Sequence, residues 1–316
     1  MTFQIQQPHL VGELTTIDYC YDVHVMGQFA YLADGFGGLL IADISDPGTP
    51  SLINSYPVND EATAVEIRGS HAFLADGGAG LKILDVSDPE DVLLIGSVSD
   101  IGYIVDLDLD GDYAYLASRA DGLQIVDISN PANPLTVAVP TNPQGALGVT
   151  VNGNYAYLSY GGLAGLQVFD ITNPLSAGLV QTIEIPGSTF GLAAAGNYVF
   201  VAGVDIGMQI VDIRNPEQAF IAWQYATPGK ILDIDADTNY VYAARTGWGI
   251  GNSRIQILGY SDSGFEIRSE LVFEGPAVID LQVAGNYLYL IEFKTGFHII
   301  DVSNPESPSI NGTLPI

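Results

Sequence analysis

Cysteine and basic side chains are the scarcest features of this chain, and each shortage excludes a class of protein. Cys20 is the only cysteine, so no intrachain disulfide can form and the core alone must hold the fold. Lysine and arginine together number 9 against 37 aspartates and glutamates, which gives a formal net charge of -28. Such a charge repels nucleic acid and anionic lipid. We therefore expect neither of them as a partner.

Long apolar runs are also missing, although 47% of the residues are hydrophobic. No stretch approaches the roughly 18 to 20 apolar residues that span a bilayer, so we expect no direct membrane insertion. No segment shows helical spacing over more than a turn, and no basic and apolar leader opens the sequence. The excess of acids suits a salty or extracellular setting, where ions screen their repulsion. A merely well-solvated surface explains it equally well.

What the chain does contain is one sequence unit written seven times. The unit carries a segment that reads Gly-Leu-Gln-Ile-Val-Asp at 122–127, and its copies begin at Leu39, Leu81, Leu123, Leu166, Met208, Ile255 and Phe297. Turn glycines recur in step with it, at Gly27, Gly69, Gly111, Gly153, Gly196 and Gly285, with Thr238 in the sixth slot. Between them lie short alternating segments rich in aromatic and branched residues, which is typical of strands. A period of about 42 residues built this way predicts one four-stranded blade per unit.

The units together predict an all-β fold, a seven-bladed β-propeller of four-stranded antiparallel blades in a single domain over residues 1–316. We place the blades at about 20–60, 61–101, 102–142, 143–185, 186–228, 229–275 and 276–316. Residues 3–16 resemble the last strand of later units. Our preferred interpretation is that this strand closes the ring in the final blade, with the C-terminal tail adding at its edge. The alternative is that it is a fragment of an upstream blade.

The segment that follows each third strand, Asp-Ile-Ser-Asn-Pro at 127–131, is typical of a turn. Ser and Asn can bond the backbone locally, and proline ends ladder pairing. We interpret Asp127 and its equivalents as structural residues.

The repeat resembles the LVIVD repeat, whose core stands here as Leu-Gln-Ile-Val-Asp at 123–127 and Gln-Ile-Val-Asp at 209–212 after Met208. The resemblance covers nearly the whole chain. It implies a β-propeller of the kind found chiefly in secreted or surface proteins of bacteria and archaea, often with no assigned activity. The sixth unit departs from the pattern, with Gly259 in place of Asp, Ser263 in place of Pro and a longer central loop. The fold alone assigns no function.

Strand alternation predicts which side chains line the central channel. Counting back from the turn glycines gives one ring of Asp22, Ala64, Asp106, Gly148, Gly191, Asp233 and Asp280. A second ring lies two residues further on, at His24, Glu66, Asp108, Thr150, Ala193, Asp235 and Gln282. Oxygen-rich, sulfur-free linings suit Ca²⁺ or Mg²⁺, so the candidate metal ligands are Asp22, Asp106, Asp108, Asp233, Asp235 and Asp280. A water-filled channel with solvated acids is the alternative.

The loops between second and third strands form a rim at one mouth of the channel. Aromatic and basic side chains in and beside these loops could stack on a sugar or fix a carboxylate. The candidate ligand-binding residues are Tyr103, Arg119, Tyr160, Arg245, Trp248 and Lys294. The alternative is that they pair with neighbouring acids and seal the rim.

Catalytic motifs are scarce in this sequence: there is no Gly-x-Ser-x-Gly nucleophile elbow, no His-Glu-x-x-His zinc motif and no phosphate-binding loop. We therefore predict a non-catalytic binding module of an extracellular or cell-surface protein, a monomer that takes a glycan or protein ligand at the rim, with Ca²⁺ as a possible cofactor. One alternative is a carbohydrate-active lyase or hydrolase at the channel mouth, with His24 and nearby carboxylates as acid and base. The other is a purely structural propeller.

Overall fold

The computed structural model describes residues 19–137, 145–162, 165–204, 206–227, 229–246, 253–273, 276–293 and 296–314. These residues form seven antiparallel sheets of four strands, each in the spatial order in which the strands follow along the chain. This confirms the predicted seven-bladed propeller. The first four blades contain β1 Asp22–Met26, β2 Phe29–Asp34, β3 Gly38–Asp43, β4 Ser51–Tyr56, β5 Ala62–Arg68, β6 His71–Asp76, β7 Leu81–Asp85, β8 Leu93–Val98, β9 Ile104–Asp110, β10 Tyr113–Ser118, β11 Gly122–Asp127, β12 Leu135–Thr136, β13 Ala146–Asn152, β14 Tyr155–Tyr160, β15 Leu166–Asp170 and β16 Gly178–Ile183. The last three contain β17 Thr189–Ala195, β18 Tyr198–Gly203, β19 Gly207–Asp212, β20 Phe220–Tyr225, β21 Lys230–Ala236, β22 Tyr240–Thr246, β23 Ser253–Ser261, β24 Gly264–Phe273, β25 Val278–Ala284, β26 Tyr287–Glu292, β27 Gly296–Asp301 and β28 Ser309–Leu314.

Tight hairpins join the first and second strands of six blades, and each uses a glycine in the left-handed region. Gly27 has φ 64° and Gly111 has φ 51°, values that a residue with a Cβ adopts only at a cost. Blade 6 has Thr238 in this slot. There the Asp237 carboxylate accepts hydrogen bonds from the backbone N–H groups of Asn239 (2.7 Å) and Tyr240 (2.8 Å) and holds the turn instead.

The core lies between neighbouring sheets, so each blade is stabilised by the next. In the cluster between blades 1 and 2, Tyr31 and Ile41 from the first blade pack with Val65 and Leu74 from the second. All four are almost fully buried. Burial of a large apolar side chain stabilises the fold by about 1.5 to 3 kcal/mol, and such clusters recur around the ring.

The turns after the third strands are held by their aspartates, as predicted. In six blades this carboxylate accepts a hydrogen bond from the backbone N–H two residues on, at 2.8 to 3.0 Å, in Asp43, Asp85, Asp127, Asp170, Asp212 and Asp301. Blade 6 has Gly259 at this position. A Cβ there would lie 2.8 Å from Nε of Arg268, so the guanidinium occupies the space that the other blades give to the aspartate.

The ring closes between blade 7 and blade 1. The C-terminal strand β28 pairs directly with β27 and is the fourth strand of blade 7. This corrects the expected strand order, in which the N-terminal segment holds that position with the C-terminal tail at its edge. The N-terminal segment, residues 3–16, lies outside the described residues. Contacts across the closure include the stacked rings of Tyr19 and Phe293, with centroids 4.9 Å apart.

Helical structure is confined to short turns in the part of the chain that the structure describes. The three 3₁₀ segments are Gly77–Ala79, Pro174–Ser176 and Pro216–Gln218. Over the same residues, no helix has the length and apolar character needed to cross a membrane.

Candidate functional site at the channel mouth

The innermost strands β1, β5, β9, β13, β17, β21 and β25 surround a cavity of about 570 Å³ on the propeller axis. Members of both predicted rings line it, including Asp22, Asp106 and Asp233 from the first ring. The side chains of Val23, Val65 and Leu107 in the intervening column are buried in the clusters between neighbouring sheets. The alternation of polar and apolar positions along the strand therefore gave the correct register.

The aspartates of the first ring join neighbouring blades. Each accepts a hydrogen bond from the backbone N–H of the innermost strand in the next blade. The pairs are Asp22 to Val65 (2.6 Å), Asp106 to Val149 (2.7 Å), Asp233 to Leu281 (3.0 Å) and Asp280 to Val23 (2.9 Å). The last of these bonds closes the ring. The strand edge that faces the axis would otherwise leave these N–H groups without a partner. A buried N–H group with no acceptor destabilises the fold.

The second ring, two residues further along each innermost strand, makes the same kind of bond between blades. Asp108 accepts from the N–H of Val151 (2.7 Å) and Asp235 from that of Val283 (2.7 Å). At the ring closure the amide oxygen of Gln282 takes this role and accepts from Val25 (2.6 Å). An amide performs the same task as a carboxylate here, so the junction requires an acceptor oxygen rather than a negative charge.

Burial raises the pKa of all six ring aspartates, and their mutual repulsion adds to this effect, while the backbone hydrogen bonds oppose it. The pKa reaches about 6 for Asp22 and Asp235, about 7 for Asp108 and about 8 for Asp233. It lies well above the ordinary value for Asp106 and Asp280. Several of these groups therefore carry a proton near neutral pH.

The six aspartates predicted as calcium ligands do face one channel, but each directs an oxygen at a backbone N–H. Over the residues that the structure describes, no group of three or more His, Cys, Asp or Glu side chains is arranged to hold a metal ion. The observed contacts are those of blade junctions. Calcium in the channel stays a prediction.

His24 lies in the second ring and pairs with the next blade. Its Nδ1 is 2.9 Å from Glu66 Oε2 and 3.3 Å from the amide nitrogen of Gln282. Burial lowers the pKa of His24, but the hydrogen bond to Glu66 and the nearby charges of Glu66 and Asp22 outweigh it, so that the pKa is raised. This histidine contributes to the junction of blades 1 and 2. The enzymatic hypothesis built on His24 stays a prediction.

One side of the channel mouth carries a cluster of side chains from three blades. Glu61 accepts hydrogen bonds from the hydroxyl groups of Tyr21 (2.6 Å) and Tyr103. Arg119 is exposed and lies over the Tyr103 ring, with its guanidinium carbon 5.1 Å from the centroid. Burial raises the pKa of Tyr103 to about 12, and its bond to Glu61 adds to this. We call Tyr21, Glu61, Tyr103 and Arg119 the mouth cluster.

The other side of the mouth is apolar. Val105, Leu147, Phe190, Leu232 and Ile279 stand just before the first ring, line the cavity and are each half-buried. We call them the apolar collar. Register shifts in the pairing of the first and second strands, such as those between Ile231 and Asp233 and between Val278 and Asp280, turn these residues toward the axis.

The structure brings together two of the six predicted rim residues, Tyr103 and Arg119. Tyr160 is fully buried in a core cluster, which corrects the expectation that it is exposed at the rim. Arg245 contacts Glu270 at 3.7 Å within its own blade and does not line the cavity. Trp248 and Lys294 lie outside the described residues.

Tyr21 and Glu61 were not among the residues predicted from the sequence, although a signal for their pairing existed. Glu61 lies 40 residues after Tyr21 and 42 before Tyr103, which is about one repeat in each direction. Equivalent positions of successive units meet at the axis of a propeller, so this spacing pointed to a contact. Buried polar side chains on six of the third strands were not predicted either; they are Lys82, Gln124, Gln167, Gln209, Gln256 and His298.

Sequence comparison places the chain in a family. The LVIVD repeat model matches residues 19–58, 61–100, 101–139, 145–184, 186–227 and 277–314, so the chain belongs to the LVIVD-repeat proteins. The sixth blade is the one unmatched unit, in agreement with its divergent turn. A search of the curated proteins gives no match.

Solved structures share the fold at low sequence identity. A functionally unknown protein from Desulfotomaculum acetoxidans is 12% identical, with a TM-score of 0.71 over 94% of this chain and 95% of the other. The WD40 repeats of RRP9 are 9% identical, with a TM-score of 0.73 over 92% and 93% of the two chains. Sqt1 of Saccharomyces cerevisiae is 10% identical, with a TM-score of 0.69 over 93% and 85%. At these identities the likeness shows the fold alone.

Proposed function

We propose that this propeller is a non-catalytic binding module that holds a segment of a partner protein at the channel mouth. The cavity of about 570 Å³ is the observation that carries this proposal, because it opens between the mouth cluster and the apolar collar. Binding sites combine an apolar wall with a few convergent polar groups. Here the collar supplies the wall, while Glu61 and Arg119 supply an acceptor and a donor.

Within the mouth cluster, Arg119 is the side chain placed to contact a ligand, while Glu61 joins Tyr21 and Tyr103 from the neighbouring blades. Arg119 is exposed and rests on the Tyr103 ring, which fixes its direction and leaves guanidinium N–H groups for a ligand carbonyl or carboxylate. A glycan is the alternative ligand, since the rings of Tyr21 and Tyr103 could stack on a sugar. The collar favours a peptide, because its five apolar side chains match the side chains of a protein segment.

We also propose that the protein acts outside the cell or at its surface. Two observations support this location: the net charge of -28 and membership of a repeat family whose resemblance implies secreted and surface proteins. Calcium in the channel is a separate proposal.

The test is a screen of the purified chain on an array of synthetic peptides and an array of glycans, each run with calcium and with chelator. We expect peptide binding that is lost in Arg119→Ala. Arg68→Ala is the matched control, because Arg68 also lies over an aromatic ring, with its guanidinium carbon 5.5 Å from the centroid of Phe73, and does not line the cavity.

Peptide signals that survive Arg119→Ala, or that fall equally in Arg68→Ala, would overturn the mouth as the binding site. Glycan binding alone would replace the peptide proposal with the glycan alternative. Binding that is lost on chelation would support calcium at the site.

A further inference from the structure

The apolar collar presents hydrocarbon to the solvent at the entrance of a charged channel. Its five residues come from blades 3 to 7. Each is half-buried, and Val105 and Ile279 also pack against neighbouring core clusters. A ligand group that passes this entrance must therefore have an apolar stem.

Acidic side chains dominate the lining of the cavity beneath the collar. Eight carboxylates line it, from Asp22, Glu61, Glu66, Asp106, Asp108, Asp233, Asp235 and Asp280, against the single guanidinium of Arg119. Acids in a cleft with low-dielectric walls focus the field and attract a cation. Charge complementarity thus selects a positive head group, and the collar selects the alkyl stem that leads to it. Among protein side chains, lysine and arginine have both parts.

The ring aspartates favour lysine over arginine. A guanidinium binds best when it meets both oxygens of one carboxylate side by side. In Asp106 and Asp108 one oxygen accepts the N–H of the following residue and the other accepts an N–H of the next blade. The remaining lone pairs belong to separate oxygens around the axis. A compact ammonium that bonds to single oxygens from several blades fits this arrangement.

We propose that a lysine side chain of the partner protein enters the channel mouth, with its alkyl stem against the apolar collar and its ammonium among the first-ring aspartates. This inference rests on the proposed function and names the group that the mouth recognises. The mouth cluster then contacts the partner's backbone beside the inserted side chain.

The probe is n-butylammonium, which is the lysine side chain without its backbone. Chain labelled at the methyl groups of isoleucine, leucine and valine reports binding at the collar, because Ile279, Leu147 and Leu232 each carry a methyl at the mouth. We expect n-butylammonium to shift these resonances saturably. n-Butanol, which has the stem without the charge, and n-butylguanidinium should each bind at least tenfold more weakly.

Charge-removing variants of the ring test the site. Asp280→Asn keeps an oxygen that can accept the Val23 N–H and removes one acid beside the proposed ammonium, so the affinity for n-butylammonium should fall on the order of fivefold. Asp22→Asn is a second variant of the same design and serves if the first does not fold. Glu90→Gln removes an exposed charge outside the cavity and should leave the affinity unchanged.

Equal binding of n-butylammonium and n-butanol would overturn the inference, as would shifts confined to methyl groups away from the collar or an unchanged affinity in both asparagine variants. The proposed function fails by a different result. If arrayed peptides bind through Arg119 while n-butylammonium gives no shift, the lysine inference is wrong and the binding module stands. If n-butylammonium binds and no arrayed peptide does, the proposed function fails instead.

Discussion

The channel wall differs between its two halves. Where blades 6, 7 and 1 meet, the carboxylates of Asp233 and Asp280 hold each blade to the next through backbone N–H groups. Where blades 4 and 5 meet, the first ring contains Gly148 and Gly191. Hydroxyl groups make that junction: Ser159 donates to the Phe190 carbonyl at 2.6 Å, and Thr189 bonds the backbone of Tyr160.

The two halves are coupled at Gly191. A Cβ on Gly191 would lie 2.1 Å from Oδ1 of Asp233 and 2.8 Å from its Cα, so the absence of a side chain in blade 5 makes room for the aspartate of blade 6. A ring aspartate therefore touches both neighbours, bonding to the blade that follows and filling space beside the blade that precedes. Aspartates therefore stand in the first ring where they bond to the next blade, and glycines stand there where hydroxyl groups make the junction.

Raising the pH should weaken the blade junctions made by the ring aspartates most of all. Unfolded aspartates titrate near pH 3.9, whereas the pKa in the fold is about 6 for Asp22, about 7 for Asp108 and about 8 for Asp233. The fold therefore binds more protons than the unfolded chain between these values. The stabilisation is complete below about pH 4 and is lost as the pH rises through about 6 to 8.

We expect the melting temperature at pH 5.5 to exceed that at pH 8.5 by on the order of 5 °C. A combined Asp22→Asn, Asp233→Asn and Asp280→Asn variant should flatten this profile. The turn aspartates act in the opposite direction, because hydrogen bonds lower the pKa of Asp43 and Asp127, so stability should also fall as the pH drops below about 4. A melting temperature that rises from pH 5.5 to 8.5 would contradict the account.

Removing one junction bond should weaken ring closure. Asp280→Ala leaves the N–H of Val23 without its acceptor, which we expect to lower the free energy of unfolding by about 1 to 3 kcal/mol. Denaturant unfolding at pH 5 is the measurement: burial raises the pKa of the Asp280 carboxyl, so low pH favours its neutral form and loss of charge repulsion offsets the lost bond least. Asp280→Asn keeps an acceptor and should cost much less. Equal losses in the two variants would show that the bond does not hold the closure.

Adding a methyl group at Gly191 in blade 5 should disturb Asp233 in blade 6. Gly191→Ala directs a Cβ at the backbone and carboxylate of Asp233, and overpacking of this kind costs about 1 to 3 kcal/mol. Gly178→Ala is the control, since a Cβ there meets nothing within 4 Å. Chemical denaturation of both variants gives the comparison. Similar stabilities would mean that blade 6 shifts freely and that the halves are not coupled.

A turn aspartate should matter less than a ring aspartate. Asp127→Ala removes the acceptor for the Ser129 N–H (2.9 Å) and hydroxyl (2.6 Å), and we expect a loss of about 0.5 to 1.5 kcal/mol in the free energy of unfolding. Asp127→Asn, which retains one acceptor oxygen, should lose less. If Asp127→Ala cost more than Asp280→Ala, the ranking of junction over turn would be wrong.

The smallest effect on stability is expected at the mouth. Arg119→Ala removes an exposed side chain whose contact with Tyr103 is worth about 0.5 to 1 kcal/mol, so the melting temperature should change little. Binding on the peptide array should nevertheless be lost. A large drop in melting temperature would instead assign Arg119 a structural role.

Most of the fold could be predicted from the sequence because the same unit occurs in it seven times. The period gave the blades, the turn glycines gave the hairpins, and strand alternation placed Asp22, Asp106, Asp233 and Asp280 in one ring. The strand order at the closure was the exception. Hydrophobic periodicity cannot distinguish two similar outer strands at opposite ends of the chain.

The candidate site was less predictable because it depends on irregular backbone. The register shifts that turn Leu232 and Ile279 to the axis leave no mark in composition, and simple alternation assigns these residues to the packed side. Tyr160 looked like a rim residue because it ends a strand, yet that position lies under the rim. Tyr103 and Arg119 were found because they stand in loops, but their partner Glu61 becomes visible only when blades are placed side by side.

The most direct test of this account is the titration of the ring aspartates themselves. NMR of carboxyl-labelled protein, assigned with Asp→Asn variants, would give the pKa of each group. We predict values of about 6 for Asp22, about 7 for Asp108 and about 8 for Asp233. Values near 3.9, the ordinary range, would contradict the view that burial and mutual repulsion keep these channel carboxyls partly protonated.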